Sequence, residues 1–305
     1  MSRETSTVLV AGAINTDLVA TVERAPRAGE TVTGQGFGMY GGGKGANQAV
    51  AVARSGVRVS LLGAVGDDPF GSARLADLRA DGVATEHIRT VRDQASGVAL
   101  ITVEAEGENR IAYIPGATLT ITAEDALAAL EAVRPSILLA PNELPPAALL
   151  ALVTRARELG VQVILNAAPD PSTVAPVLPF IDILIVNWGE ALELASIAEP
   201  SPDIPVLIDA LTRISGRRIV ITLGGDGVIG VDGDASFEVP AMKVEAVDTT
   251  GAGDAFCGAL AASLARGATF HDAVVYASIA GAISVTRAGA QSAIPTREEI
   301  EARLT

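Results

Sequence analysis

The sequence predicts a doubly wound α/β fold: a mostly parallel sheet with helices on both faces and a small β-sheet lid. Three observations carry this. Short apolar runs alternate with helix-like patterns, which argues a parallel sheet buried on both faces. Unusual polar residues and glycines fall where those runs end, at Asn15, Glu143, Asn187, Gly224 and Asp248. Two strand-rich stretches without helix signals interrupt the alternation.

In chain order, "TVLVAG" (Thr7–Gly12) is an apolar run closed by glycine and reads as a buried strand. Asp17–Tyr40 is a strand-rich piece with Gly and Pro. "GGGKGANQ" (Gly41–Gln48) reads as a glycine loop leading into the helical run "AVAVARSG". "VRVSLLGAVG" is a strand and "GSARLADLRADG" a helix. Ser96–Pro115 holds two strand-like runs around the turn "EGEN". Then come "AEDALAALEAV", "SILLAP", "PPAALLALVTRARELG", "VQVILNAAP", "IDILIVN" and "RRIVITLGG", of which the first and third read as helices and the others as strands. "EPSPDIP" (Glu199–Pro205) reads as a loop. Val247–Gly258 reads as a strand end, a glycine turn and the start of a helix. The whole of 1–305 is expected to form one α/β domain. Insertions at about 17–40 and 96–115 would assemble the lid, which either covers the strand ends or offers a β surface to a partner.

Composition excludes several functions. The formal net charge is −14 and no stretch concentrates Lys and Arg, which disfavours nucleic acid and anionic membranes as partners. The single cysteine, Cys257, rules out an internal disulfide. His87 and His271 stand far apart without partners at ligand spacing, so a zinc site is not expected. No apolar run approaches the ~18 residues needed to span a bilayer. The start "MSRETSTVLVAG" shows no signal-peptide pattern, and the expected location is cytoplasmic.

Several residues point to chemistry. In "GGGKGANQ" the glycines allow close backbone approach to a ligand and Lys44 adds a cation; it is not a G-x-x-x-x-G-K-[ST] phosphate loop, because Gly45 follows the lysine. Asn15 and Asp17 in "GAINTD" share one side of an extended chain, which suits vicinal sugar hydroxyls; a turn explains them equally. The absence of G-x-G-x-x-G there disfavours a dehydrogenase. Glu143 in "APNELPP" either binds a ligand or complements a helix N-terminus. Asn187 and Glu190 in "VNWGEA" form a helix cap with an acidic first turn, or a carboxylate holding hydrated magnesium near phosphates. "TLGGDG" (Thr222–Gly227) is either a hairpin loop or a backbone lying along a nucleotide.

The stretch "VDTTGAGDAFCG" is the most informative. Gly251, Ala252 and Gly253 leave backbone N–H groups at a helix start, which favours an anion. Asp254 beside them would repel a merely bound phosphate. It has a purpose if it takes the proton of an alcohol attacking that phosphate. Asp248, before the turn, cannot reach the same proton. A second bare carboxylate near phosphates is costly unless a cation neutralises it, so a bound cation held by Asp248 and backbone carbonyls is expected.

Taken together, "GGGKGANQAVAVARSG" and "AVDTTGAGDAFCGAL" resemble the two signatures of the ribokinase/phosphofructokinase-B family of sugar kinases. "GETVTG", "GVALITVEAEGEN" and "VTRAGAQ" extend the resemblance over essentially the whole chain. The resemblance implies a doubly wound α/β domain with a β lid often used for dimerisation. It implies ATP-dependent phosphorylation of D-ribose at its 5-hydroxyl, or of deoxyribose, a ketohexose or adenosine. A non-catalytic sugar- or nucleotide-binding regulator is the rival, and Asp254 argues against it. By matching position, Asn15, Asp17, Gly43, Lys44, Asn47 and Glu143 would hold the sugar, with Asp254 the base and Gly251, Ala252 and Gly253 the anion hole. Asn187, Thr222, Gly224, Gly225, Gly227, Gly253 and Ser278 would line ATP, with Ser278 where an Asn or His often flanks the adenine. Glu190 would serve Mg2+. Asp248, Thr250, Ser284, Arg287 and Gly289 match positions for an activating K+, several through carbonyls. The last potassium position, usually serine, falls on Ala293, with Ser292 one residue earlier.

Overall fold

The computed structural model describes residues 7–106, 108–198, 203–215 and 218–304. Its strands are β1 (Thr7–Ala11), β2 (Asn15–Val22), β3 (Gly34–Gly42), β4 (Arg58–Gly66), β5 (Ile88–Val91), β6 (Gly97–Val103), β7 (Asn109–Ile114), β8 (Ile137–Pro141), β9 (Gln162–Asn166), β10 (Ile183–Asn187), β11 (Arg218–Thr222), β12 (Val228–Asp232) and β13 (Ala235–Val239). Its α-helices are α1 (Lys44–Arg54), α2 (Pro69–Ala80), α3 (Ala123–Val133), α4 (Pro146–Glu158), α5 (Trp188–Leu194), α6 (Ile204–Ser215), α7 (Ala252–Ala265), α8 (Phe270–Ser284) and α9 (Arg297–Glu301).

The main sheet has nine strands in the order β13-β12-β11-β10-β9-β8-β1-β4-β5. Strands β5 to β11 of that order pair in parallel, and β12 and β13 add an antiparallel edge. Alternate residues feed two cores. Val8, Val10, Leu61 and Leu139 face α1, α7 and α8, whereas Leu9, Leu62, Leu138 and Leu184 face α3, α4 and α6. This two-sided burial is why the strands read as continuous apolar runs. Chain order reverses between β1 and β8, with β4 and β5 on one side and β9 to β11 on the other. The crevice beyond the strand ends there is where open α/β sheets bind ligands.

The strand-rich interruptions form a separate four-stranded sheet, β3-β2-β6-β7. β2 pairs antiparallel with β3 and in parallel with β6, and β6 pairs antiparallel with β7. The lid is slightly larger than the expected insertions, because β2 already begins at Asn15 and β3 runs to Gly42.

Three readings need correction. Lys44–Gln48 is not a loop before the helix but its first turn, with Gly43 as N-cap at φ 90°. A Cβ there would lie 2.5 Å from the Ala13 carbonyl, so only glycine lets α1 start so close to the β1–β2 turn. Val247–Asp248 is not a strand end: both N–H groups donate to the carbonyl of Val285 at the end of α8, at 2.7 and 3.1 Å, so no neighbouring strand is needed. Part of the expected loop Glu199–Pro205 is helix, since α6 starts at Ile204; residues 199–202 lie outside the described residues.

Candidate active site

The loop after β1 and the turn after β8 meet at the switch point. Glu143 joins them: its Oε2 accepts the N–H groups of Ala13 (2.8 Å) and Gly45 (2.9 Å), and its Oε1 accepts that of Lys44 (3.1 Å). The carboxylate thus caps α1 while pinning the β1–β2 turn. Burial pushes its acid strength down, and the Ala13 and Gly45 hydrogen bonds pull the other way without restoring it; its pKa stays raised. Of the two readings of Glu143, the structure displays the helix-terminus one directly, on α1 rather than on α4.

α1 and α7 lie side by side. An added Cβ on Gly258 of α7 would strike Ala51 and the Gln48 carbonyl of α1, so glycine sets their approach. That approach brings Asp254, in the first turn of α7, against α1. Asn47 Nδ2 donates to Asp254 Oδ2 at 2.9 Å and Gln48 Nε2 to Asp254 Oδ1 at 3.0 Å. Lys44 is beside them; the negative charge of Asp254, opposed by burial and aided by Glu143, raises its pKa and keeps it cationic. Asp17 on β2 completes the group. Burial raises its carboxyl to about 6, with Arg74 of α2 opposing and Asp254 adding to the rise.

Asn15 Oδ1 and Asn47 Oδ1 in this group, like Oε1 of the fully buried Gln48, have no hydrogen-bond partner. Buried polar atoms are rarely left so, and a hydroxylated ligand would supply the missing donors. Tyr113 on β7 stands against Asn15. Burial pushes its phenol up to about 12, with the Glu143 charge adding and a hydrogen bond with Asn15 opposing.

α7 begins from Gly251 at φ 75°, a left-handed conformation that suits glycine. The N–H groups of Gly251, Gly253 and Asp254 have no acceptor among the described residues, whereas that of Ala252 turns back to the Thr249 carbonyl at 3.3 Å. The expected anion hole is therefore open at its flanking positions and weakly occupied at Ala252. A Cβ on Gly253 would meet nothing within 4 Å, which leaves space over the helix end.

Beside the hole is a cavity of about 460 Å³. Thr222, Gly224, Gly225, Gly227, Gly253 and Ser278 of the expected nucleotide set line it. Its apolar wall includes Val244, Ala246, Phe256, Ala282 and Val285, which sequence reading did not single out. Asn187 is not in that lining. It pairs in register with Thr222 and forms a capping box with Glu190: Glu190 N–H donates to Asn187 Oδ1 and Asn187 N–H to Glu190 Oε2, both at 2.9 Å. The cap reading of this pair is thus present in the structure. A larger cavity of about 840 Å³ opens at the other ends of β9 to β11. Its arginines 157 and 218 are paired with Asp182 and Asp232, and it holds none of the expected residues.

Of the residues expected to serve potassium, Asp248, Thr250 and Gly289 are joined behind the turn. Asp248 Oδ1 accepts the Thr250 N–H at 2.9 Å and Oδ2 the Gly289 N–H at 2.8 Å. Burial opposes ionisation of Asp248, but the bonds from Thr250 and Gly289 outweigh it and hold the carboxyl below its usual range. The Arg287 guanidinium is engaged by Glu299, so only its carbonyl remains for this loop. The Ser284 hydroxyl donates to the Gly281 carbonyl and the Ser292 hydroxyl to that of Ala288. Ala293 is buried. Glu190 lies apart from this loop, at the end of β10.

A family model described as "pfkB family carbohydrate kinase" matches residues 5–297. The chain belongs to this family. Among curated pfkB relatives, the ribokinase of Lactococcus lactis is 38% identical over 299 residues, covering 97% of this chain and 96% of its own. That of Bacillus subtilis is also 38% identical, covering 98% and 99%. The structure of Arabidopsis thaliana ribokinase complexed with ribose and ATP superposes with a TM-score of 0.88 at 25% identity, covering 98% of each chain. The pfkB assignment fits the two signatures, now seen as the starts of α1 and α7. Sequence reading missed Gln48, Arg74 and Tyr113. Gln48 sits inside the first signature, so its place next to Asn47 was the available signal.

Proposed function

We propose that this chain transfers the γ-phosphoryl group of ATP to the 5-hydroxyl of D-ribose. The observation that carries the reading is Asp254: a carboxylate held by Asn47 and Gln48 at the mouth of an open helix N-terminus. The ribokinases among its relatives and the ribose- and ATP-complexed neighbour support the choice of substrates. In this reading the sugar lies over Asn15, Asp17, Gly43, Lys44 and Asn47. The orphaned oxygens of Asn15 and Asn47 accept its hydroxyl protons, and Asp17 accepts from vicinal hydroxyls. Glu143 acts here mainly by holding the loop that carries Asn15 and the start of α1. Asp254 takes the proton of the attacking hydroxyl as its oxygen bonds to the γ-phosphorus. The bond to the β,γ-bridging oxygen breaks and ADP leaves. The N–H groups of Gly251 and Gly253, with Lys44, face the charge on the moving group.

The residues also fit the family's cations by their donor chemistry. Asp248 with the carbonyls of Thr250, Ser284, Arg287 and Gly289 offers only hard oxygens, as a large monovalent cation requires. Glu190, whose Oε2 accepts the Asn187 N–H, would hold the water shell of magnesium through its other oxygen. When bound, these cations neutralise phosphate charge. Asp254→Asn tests the reading. Turnover should fall roughly 10²–10⁴-fold while nucleotide binding, followed by calorimetry, persists. Near-parental kcat would remove Asp254 from the chemistry.

A further inference from the structure

Gln48 is fully buried at this site, with no exposed surface, whereas Asn47 keeps a small exposed fraction of 5%. Its Nε2 donates both to Asp254 Oδ1 (3.0 Å) and to Asn166 Oδ1 (3.2 Å). Asn166, at the end of β9, donates in turn from Nδ2 to the Ile185 carbonyl of β10 (3.4 Å). That bond fixes the Asn166 amide with its oxygen toward Gln48. An ionised Asp254 and this oxygen are both acceptors, so the Gln48 amide can present only its nitrogen. Its Oε1 is left buried without a partner. A buried orphan is a cost, and it persists because the other end of the amide is doubly engaged.

We propose that Gln48 is a positioning residue for the base, with Asn166 anchoring it to the sheet. The inference rests on the phosphoryl-transfer reading above. The two Asp254 oxygens have different holders. Asn47 holds Oδ2 and is slightly exposed, so its own oxygen is open to the sugar in this reading; Gln48 holds Oδ1 and has no exposed surface. Gln48 therefore fixes the rotation of the carboxylate without contributing to sugar affinity. The charged and titratable groups facing Asp254 are Lys44 from α1, Asp17 from β2, Glu143 from the turn after β8 and Cys257 from α7. Glu190 of α5 acts on Lys44 and Cys257 from further out. Lys44 is the only cation among them, so a lost donor has one charge to replace it.

The test is kcat and ribose KM at saturating ATP for Gln48→Met, a near-isosteric change that removes the donor. A charge-assisted hydrogen bond of ordinary strength predicts a kcat lower by roughly ten- to a hundred-fold. KM for ribose should stay near the parental value, in contrast to Asn47→Ala, which should raise it. Asn166→Leu should act in the same direction and more weakly, since the amide loses its anchor and keeps its donor. A parental kcat in Gln48→Met would overturn the inference. So would a lowered kcat with the ribose KM raised in step, which is what damage to the fold of the site produces. If Asp254→Asn itself retains turnover, the base assignment has failed instead.

Discussion

Asp17 has the most testable titration at the site. Its carboxyl is raised to about 6 by burial, with Arg74 opposing and Asp254 reinforcing. Below that pH it is neutral and loses its strength as an acceptor for sugar hydroxyls. The free enzyme's kcat/KM for ribose should therefore fall as pH drops through about 6, and Asp17→Asn should weaken binding and remove that limb. The sign follows from the raised value: the binding-competent charged form exists above it. An identical limb in the parent and Asp17→Asn, measured at saturating ATP, would assign it elsewhere. Asn15 and Asp17 were legible as a pair because an extended chain puts alternate side chains on one side, and β2 is extended there. The pairing of Asn47 and Gln48 with Asp254 was not, because it joins residues 207 and 206 positions apart through the packing of two helices.

At the scale of elements, the turn into α7 depends on what lies behind it. Asp248 ties the turn to Gly289 and Thr250, and Val285 receives the two N–H groups before it. A cation held by Asp248 and the nearby carbonyls would cancel its field at the phosphates and brace the turn. Potassium sheds water to carbonyl oxygens more easily than sodium. Turnover should rise when potassium replaces sodium at constant ionic strength and saturating magnesium, and Asp248→Ala should blunt the response. Equal rates in the two salts would contradict a selective site, and Ala293 is where such a site would be short of a ligand. The main strands and α2 to α4 were legible from apolar runs and periodicity. α8 was not, since "FHDAVVYASIAGAIS" is apolar and small on most sides, as a helix packed between neighbours must be. The edge strands β5 and β13 are short and half-exposed, and left no pattern.

At the scale of the whole molecule, the lid is apolar on both faces. Register puts Phe37, Met39 and Leu100 on one face and Ile111 and Tyr113 on the other. Phe37 is 72% and Ile111 57% exposed. We propose that a second copy covers this sheet, because such a surface left wet is an association site. Sedimentation at micromolar protein with ribose present should give a dimer, and Phe37→Asp with Leu100→Asp should give a monomer. A monomeric parent would contradict it. The doubly wound sheet and the small second sheet were both readable from the sequence, the first from apolar runs alternating with helix patterns and the second from strand-rich stretches without helix signals; the switch point between β1 and β8 required the strand order. What that crevice accepts is the central question. The most direct measurement is ATP-dependent turnover across D-ribose, 2-deoxyribose, fructose and adenosine, with the product identified. Ribose 5-phosphate is the expected product, with the highest kcat/KM for ribose, because Asn15, Asp17 and Asn47 lose partners when a hydroxyl is missing. Equal efficiency for ribose and 2-deoxyribose, or no transfer to ribose, would contradict it.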